Sequence, residues 1–196
     1  MTRERLDAYI AAHGSAAKTL DIGSAHSPYA RHFPNRVSLD IKAGPGVDIV
    51  ADAHDLPLPD ASFEQILATE VLEHLHTPER AVAEMARVLA PGGRVILTTR
   101  FIFPLHDEPH DYFRYTKHGL RYLFRDWEIE SLEAEASDLA TLAILTQRLS
   151  FQLQRGLVSR ALLGILARVL HSLVDTKREG IMPSGYYLIA RKRAAP

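Results

Sequence analysis

The sequence contains no cysteine among its 196 residues. This absence excludes disulfide bonds, thiolate metal sites and cysteine nucleophiles, and it suits a reducing compartment. No stretch reaches the roughly 18 uninterrupted apolar residues that a membrane-spanning helix needs. The amino terminus also lacks the apolar core of a signal peptide. We therefore expect a cytoplasmic protein.

A strong charge of either sign is also missing. The chain has 23 basic and 24 acidic residues and a formal net charge of −1. Without a global positive field, a nucleic-acid partner is not expected. The length and the 46% hydrophobic content suit a single compact domain covering residues 1–196.

Strand-like and helix-like segments alternate along the chain, which is the pattern of parallel β-α-β units. From this alternation we predict an α/β fold with a doubly wound, mostly parallel sheet of seven strands. The predicted strands cover residues 18–23, 36–41, 47–53, 62–70, 93–101, 127–136 and 185–193. A helical, largely apolar insertion of about residues 137–184 separates the last two strands.

Two helical segments are predicted between the fourth and fifth strands. The first is EVLEHL (70–75), and the second is PERAVAEMARVLA (78–90), whose apolar residues fall on one face. Thr77 suits the N-cap of the second helix and Pro78 its first turn. The PGG run at 91–93 is expected to end it.

Candidate binding residues follow the first four predicted strands. In an open parallel sheet, ligands bind beyond the carboxyl ends of the strands. The acid Asp40 lies 19 positions after Asp21, a spacing that suits hydrogen bonding to a ribose diol. The candidates at this edge are Asp21, Gly23, Asp40, Ile41, Asp52, Ala53, Thr69 and Glu70.

The loop after the first strand, DIGSAHSPY (21–29), has one glycine where a dinucleotide site has G-x-G-x-x-G. Extra glycines let the backbone approach a pyrophosphate at a helix N-terminus. The loop therefore argues against NAD or FAD and against an oxidoreductase. It is compatible with a nucleoside ligand that carries no phosphate.

Four motifs follow one another in a specific order: TLDIGSAHSPY, VSLDI, ADAHDLPLPDASFEQILATEVLEHL and RAVAEMARVLAPGGRVILTT. Together they resemble the class I S-adenosylmethionine-dependent methyltransferases over about residues 18–120. The resemblance implies a Rossmann-like fold and S-adenosylmethionine as the cofactor.

The resemblance also implies a role for each matching residue. Gly23 would let the backbone lie against the methionine part of the cofactor, and Asp21 would anchor its amino end through the loop. Asp40 would bind the ribose hydroxyls. Asp52 and Ala53 would meet the adenine.

One position departs from the family's first motif. Ala25 stands where a second glycine is usual. Its methyl group leaves less room for the backbone to approach the cofactor, although alanine is a mild replacement. Ala25 is retained as a candidate cofactor-binding residue.

The stretch FPLHDEPHDYFRYT (103–116) is rich in histidines, carboxylates and aromatic rings. It is similar to small family members associated with sugars and cell-surface glycans. The candidates for removing a proton from an acceptor hydroxyl are His106, His110 and Asp111. The alternative is that His106, Asp111 and Arg114 form a structural cluster that fixes the loop over the cofactor.

A possible metal motif lies in EVLEH (70–74). On a helix, Glu70, Glu73 and His74 would share one face, and a later histidine could complete a site for Mg²⁺ or Mn²⁺. Small-RNA and ubiquinone-pathway O-methyltransferases carry a similar run, but so do metal-free relatives. We therefore expect that these residues do not bind a metal.

The insertion is basic and apolar. Residues 139–174 hold four arginines and no acidic residue. This composition fits a helical cover over the sheet, and it also fits peripheral contact with an anionic membrane surface.

The function expected from these features is transfer of a methyl group from S-adenosylmethionine to a hydroxyl of a small molecule, with a sugar or lipid-linked glycan as the favoured acceptor. Two alternatives remain open. One is a metal-dependent O-methyltransferase acting on RNA or on a phenolic or quinone acceptor. The other is a non-catalytic protein that binds S-adenosylmethionine. The sequence leaves the oligomeric state open.

Overall fold

The computed structural model describes residues 2–24, 27–152, 157–173 and 180–193. Within them, one sheet holds seven strands: β1 Thr19–Ile22, β2 Arg36–Asp40, β3 Ile49–Val50, β4 Phe63–Thr69, β5 Leu89–Arg100, β6 Trp127–Ala134 and β7 Gly185–Lys192. The α-helices are α1 Thr2–Ala12, α2 Pro78–Val88, α3 Lys117–Leu123, α4 Asp138–Gln152 and α5 Leu157–Ser172. Short 3-10 helices cover Ala30–His32 and Leu72–His74.

The strand order is β3-β2-β1-β4-β5-β7-β6. Strands β1 to β5 pair in parallel, and β7 is antiparallel to both β5 and β6. The predicted α/β fold with a doubly wound, mostly parallel seven-stranded sheet is confirmed. Because the strand order reverses at β1 and β4, a crevice opens beyond their carboxyl ends, where ligands bind in such sheets.

Both faces of the sheet are covered by helices. Side chains alternate along a strand, so Leu67 and Ile96 pack with Leu6 and Ile10 of α1 on one face. Their strand neighbours face the other way, against α2 and α3. This second and larger cluster includes Ile66, Val95, Leu97, Val82, Met85 and Leu120. All of these side chains are buried.

The boundary between α2 and β5 differs from the predicted one. The helix ends at Val88, and β5 begins at Leu89 rather than at residue 93. Pairing with β4 jumps from Phe63–Leu89 to Gln65–Arg94, so the Pro-Gly-Gly run forms an irregularity inside the strand. Gly92 has a φ of 74°, which glycine adopts without steric cost.

The segment after β4 was also predicted wrongly. EVLEHL forms the 3-10 helix Leu72–His74 instead of an α-helical turn, and Glu70 has a φ of 56°. Glu70 therefore does not share a helix face with Glu73. Thr77 precedes α2 as expected, but its side chain makes no capping hydrogen bond. The φ angle of Pro78, fixed by its ring, suits the first turn of α2 even without a capping hydrogen bond.

The described part of the insertion before the last strand is helical, as predicted, and its two helices form a hairpin. Helices α4 and α5 pack chiefly against each other. Asp138 at the start of α4 ties the hairpin to the segment before β7 by accepting a hydrogen bond from the backbone N–H of Met182, at 2.7 Å. Among the helices of the described residues, none is long and apolar enough to cross a membrane.

Candidate cofactor and acceptor site

A cavity of about 540 Å³ lies at the carboxyl ends of β1, β2 and β4. Six of the predicted cofactor residues and one of the predicted proton acceptors line it: Gly23, Asp40, Ile41, Asp52, Ala53, Glu70 and His110. The expected edge of the sheet is therefore where the candidate residues meet. Four other described candidates lie outside this lining: Asp21, Thr69, His106 and Asp111. Ala25 lies outside the described residues.

Gly23 is the point where β1 turns into the cavity wall. It has a φ of 73°, and a Cβ atom there would lie 2.4 Å from Cγ2 of Val71. Its N–H donates to the carbonyl oxygen of Leu39 at 2.8 Å, which fixes the turn to the end of β2. Any side chain at this position would push against Val71, which also lines the cavity.

Asp40 presents its carboxylate at the end of β2. One oxygen accepts the backbone N–H of Lys42 at 2.9 Å, which orients the group toward the cavity edge. A fixed carboxylate at the end of the second strand suits the two hydroxyls of a ribose. Beside it, Ile41 is 65% exposed and lines the same cavity, where it offers an apolar surface to a ligand.

Two histidines that the sequence did not single out form the neighbouring wall. The ring of His54 donates from Nδ1 to Asp52 at 2.5 Å, and its Nε2 accepts the N–H of Thr77 at 3.2 Å. The rings of His54 and His76 stack with 4.2 Å between centroids. One oxygen of Asp52 is thus committed to His54. In the sequence, the one indication that His54 could line the site was its position directly after the third predicted strand.

Asp21 supports the site from behind. Its side chain is 1% exposed and pairs with Arg36 at 2.8 Å, across the β1–β2 boundary. Burial raises the pKa of Asp21 to about 6, although hydrogen bonds from Ser27 and Arg36 oppose the rise. The bond to Ser27 ties Asp21 to the loop that follows Gly23. This position is compatible with the indirect role expected for Asp21.

Thr69 and Glu70 end β4 differently from each other. Thr69 is half-buried and does not line the cavity, whereas Glu70 does. The carboxylate of Glu70 forms an ion pair with Arg100, which also binds the buried Glu135 at 2.8 Å. This ion pair fixes the position of the Glu70 carboxylate at the cavity wall.

Asp111 is held in the loop by Arg114. Its two oxygens accept from the guanidinium at 2.5 and 2.7 Å, and one also accepts the N–H of His106 at 2.9 Å. These hydrogen bonds hold the pKa of Asp111 far below its usual range, although partial burial opposes the shift. Such a carboxylate is a poor proton acceptor. The geometry favours the structural alternative for Asp111 and Arg114.

His110 is the predicted proton acceptor that faces the cavity. Its Nδ1 lies 3.0 Å from the hydroxyl of Tyr112, and both residues line the cavity. The ring of Tyr112 is also edge-on to His76, with 6.1 Å between centroids. His106 lies behind this wall, edge-on to His74 at 4.7 Å, and burial lowers its pKa.

Comparison with known families agrees with this architecture. Residues 4–97 match the family model described as a methyltransferase domain. Demethylmenaquinone methyltransferase of Renibacterium salmoninarum is 34% identical over 85 residues, 38% of this chain and 36% of that protein. The 27-O-demethylrifamycin SV methyltransferase of Amycolatopsis mediterranei is 44% identical over 54 residues, 28% of this chain and 20% of that protein.

A third relative, the chloroplastic tocopherol O-methyltransferase of Arabidopsis thaliana, is 44% identical over 50 residues, 26% of this chain and 14% of that protein. The matched segments therefore cover between 14% and 36% of the length of these curated relatives.

Solved structures with the same fold cover nearly the whole chain. A SAM-dependent methyltransferase from Archaeoglobus fulgidus superposes with a TM-score of 0.63 at 16% identity, over 97% of this chain and 92% of that one. The [4+2]-cyclase SpnF gives 0.64 at 20% identity, over 99% and 82%. The fold is therefore Rossmann-like. Residues 4–97 are thus similar to a methyltransferase domain, and the chain as a whole shares its fold with these solved structures.

The cavity fits S-adenosylmethionine, the methyl donor that the sequence motifs imply. Because Gly23 lacks a Cβ atom, Val71 can pack against it and form the adjoining part of the cavity wall. The carboxylate of Asp40 and the apolar face of Ile41 suit the ribose and the base of a nucleoside, respectively.

Replacing Gly23 with alanine should weaken binding of S-adenosylhomocysteine at least about tenfold, or about 1.4 kcal/mol. The reason is that the new methyl group meets Val71 and the backbone keeps a left-handed φ. Calorimetric titration measures the effect. Gly92→Ala is the matched control because Gly92 has a similar φ of 74° but nothing within 4 Å of its Cβ position. Equal affinities for the native protein and Gly23→Ala would contradict this account of the wall.

The buried carboxyl of Asp21 should make stability depend on pH. Because its folded pKa, about 6, exceeds the ordinary value of 3.8, the folded state keeps the proton that the unfolded chain loses. Its contribution is complete below pH 4 and is lost as the pH rises through 6, a decrease of roughly 2 to 3 kcal/mol in the free energy of unfolding. Asp21→Asn should flatten this slope in urea denaturation between pH 4 and 7, and Asp55→Asn, at an exposed site, should retain it. Identical slopes for native protein and Asp21→Asn would refute this assignment.

Proposed function

We propose that this protein transfers the methyl group of S-adenosylmethionine to a hydroxyl group of a small acceptor. The supporting observation is that one cavity is lined both by the strand-end residues Gly23 and Asp40 and by His110 and Tyr112 of the loop after β5. A nucleoside ligand at the strand ends and an acceptor at the loop would therefore share one space. Methyl transfer requires this proximity, since much of its rate comes from holding the two reactants in line.

The proposed reaction is a single displacement. S-adenosylmethionine supplies an electrophilic methyl group on a sulfonium; its S–C bond breaks as the O–C bond to the acceptor forms. The hydroxyl proton passes to Nε2 of His110. In the tautomer with the hydrogen on Nδ1, which lies 3.0 Å from the hydroxyl oxygen of Tyr112, Nε2 has a free lone pair. The walls at Gly23 and Asp40 hold the donor, and the Tyr112 ring orients the acceptor.

Of the three predicted proton acceptors, His110 is the one we retain for this step. His106 does not line the cavity, and Asp111 is committed to Arg114. We assign to Asp111 and Arg114 the positioning of the loop that carries His110. The Arg114 guanidinium also donates to the carbonyl oxygens of Phe103 and Pro104, at 3.1 and 3.0 Å, which closes the loop on itself.

For the acceptor we propose an aromatic hydroxyl, such as a phenol or a hydroquinone. The support comes from relatives named for demethylmenaquinone and tocopherol, and from the aromatic edge that His76 and Tyr112 present to the cavity. The sugar or lipid-linked glycan expected from residues 103–116 stays a prediction. Aromatic rings can stack on either kind of acceptor, so both belong in one assay.

Two variants should separate donor binding from chemistry. His110→Ala should lower kcat for transfer of labelled methyl to a hydroquinone by roughly 10²- to 10⁴-fold, the usual loss when a general base is removed. It should leave the affinity for S-adenosylhomocysteine unchanged. Asp40→Ala should do the reverse and weaken that affinity by about 1 to 3 kcal/mol, the cost of losing a charged hydrogen bond.

Matched controls are His118→Ala and Asp55→Asn, both at exposed positions outside the cavity lining. Full turnover by His110→Ala would overturn the role of this histidine. Cofactor binding without transfer to any hydroquinone, phenol or sugar offered would instead favour the non-catalytic alternative.

We also propose that the α4–α5 hairpin contacts an anionic lipid surface. The outer face of α5 and the turn directly after it carry large exposed apolar residues at helical spacing: Leu162, Ile165, Leu166, Val169 and Leu173. Residues 139–174 contain four arginines and no acidic residue, so the hairpin complements negative headgroups. A poorly soluble aromatic acceptor would partition into such a lipid surface, where the protein could bind it. The cytoplasmic location expected from the sequence stays a prediction.

Flotation with vesicles tests this contact. The native protein should float with vesicles containing phosphatidylglycerol, and less with purely zwitterionic ones, because the arginines add electrostatic attraction. The double variant Leu162→Glu/Leu166→Glu should stay in solution while still binding S-adenosylhomocysteine. No flotation of the native protein with the anionic vesicles would exclude the membrane contact.

A further inference from the structure

A carboxylate and two imidazole rings meet just behind the cavity. Glu73, His74 and His106 each offer one ligand atom, and these three atoms lie within 4.8 Å of one another. Glu73 and His74 belong to the 3-10 helix after β4, and His106 comes from the loop after β5. His74 also lines the cavity, so the cluster borders the space where the acceptor would bind.

The carboxylate of Glu73 has one oxygen without a partner. The side chain is fully buried, and its Oε2 accepts a hydrogen bond from the Thr99 hydroxyl, with 2.7 Å between the two oxygen atoms. Oε1 is buried and finds no hydrogen-bond partner among the described residues. A buried carboxylate oxygen left bare costs roughly 1 to 3 kcal/mol or more, so a ligand that satisfies it is expected.

Both histidines are oriented as metal ligands are. Nδ1 of His74 lies 2.7 Å from the carbonyl oxygen of His110, which can only accept, so Nδ1 carries the hydrogen. Nδ1 of His106 lies 3.3 Å from the carbonyl oxygen of Pro104 and 3.4 Å from a carboxylate oxygen of Asp111. Each ring therefore leaves Nε2 as a lone-pair donor. Partners of this kind on the outer nitrogen fix the tautomer of metal-binding histidines.

We propose that Glu73, His74 and His106 bind a divalent first-row transition metal ion, such as Zn²⁺, Mn²⁺ or Fe²⁺. Two imidazoles and one carboxylate form a set that these metals accept, and three protein ligands would leave at least one coordination position for a further oxygen. This set of ligands differs from the one considered for EVLEH (70–74), because Glu70 is paired with Arg100 instead.

The second cluster of possible ligands in the described chain is less suitable. Asp52, His54 and His76 also lie close together. However, both ring nitrogens of His54 are already used, one by the Asp52 carboxylate and the other by the N–H of Thr77. A metal there would have to break hydrogen bonds that hold the wall of the cofactor cavity.

The metal would act on the acceptor. An open coordination position beside His74 would take the acceptor oxygen and lower the pKa of its hydroxyl, so that His110 removes the proton more readily. This catalytic use rests on the proposed function. Binding of the metal does not, and it can be measured without any acceptor.

The experiment is a titration of the full chain with Co²⁺ followed by visible absorption, with Zn²⁺ as the competitor. One equivalent of Co²⁺ should give a d–d band that Zn²⁺ abolishes. His106→Ala should lose the band, and Glu73→Gln, which keeps the bond to Thr99, should weaken binding at least about tenfold, or about 1.4 kcal/mol. Zn²⁺ should raise the melting temperature of the native protein and not that of His106→Ala.

His76→Ala is the matched control, because it removes a histidine from the rival cluster and should keep the band. The proposal is overturned by native protein that binds no Co²⁺, by a band that survives both His106→Ala and Glu73→Gln, or by a band lost in His76→Ala. Native protein that binds S-adenosylhomocysteine but no metal would reject only the metal site, whereas metal binding without S-adenosylhomocysteine binding would reject the methyltransferase.

Discussion

The parallel pairing of β1 with β2 on one side and β4 on the other determines where this protein can act. Asp21 pairs with Ser38 and Leu67, and Ile22 with Leu39 and Ala68, so the three strands end at the same level. Residues that are far apart in sequence are thereby brought to one edge. Backbone hydrogen bonds close that edge, including those from Gly23 to Leu39 and from Glu70 to Thr98.

Much of the fold followed from local patterns. The alternation of strand and helix segments, and the acids that follow β1 and β2, were enough to predict the sheet and the edge where Asp40 lies. The errors fell where tertiary contacts decide. Leu89 pairs with β4, so β5 begins before the Pro-Gly-Gly run. The ion pair with Arg100 stabilises Glu70 at a φ of 56°, and this positive φ is incompatible with the α-helix predicted for EVLEHL.

The sequence predicted where the residues of the site lie better than it predicted what each residue does. The sequence placed His106, His110 and Asp111 in one loop, but it could not show that Arg114 occupies both oxygens of Asp111, because that fork requires the folded loop. His54 and His76 were missed because their stacking joins segments 22 positions apart without a motif. Side chains that work together here come from loops after different strands, and only the sheet brings them close.

We infer that the cavity at the ends of β1, β2 and β4 holds S-adenosylmethionine. Hydrogen exchange with and without S-adenosylhomocysteine, read by mass spectrometry, tests it most directly. We predict that the ligand slows exchange in peptides containing residues 22–24, 39–42 and 51–54, and leaves α4 and α5 unchanged. Protection confined to the helical hairpin, or no protection at saturating ligand, would contradict the claim.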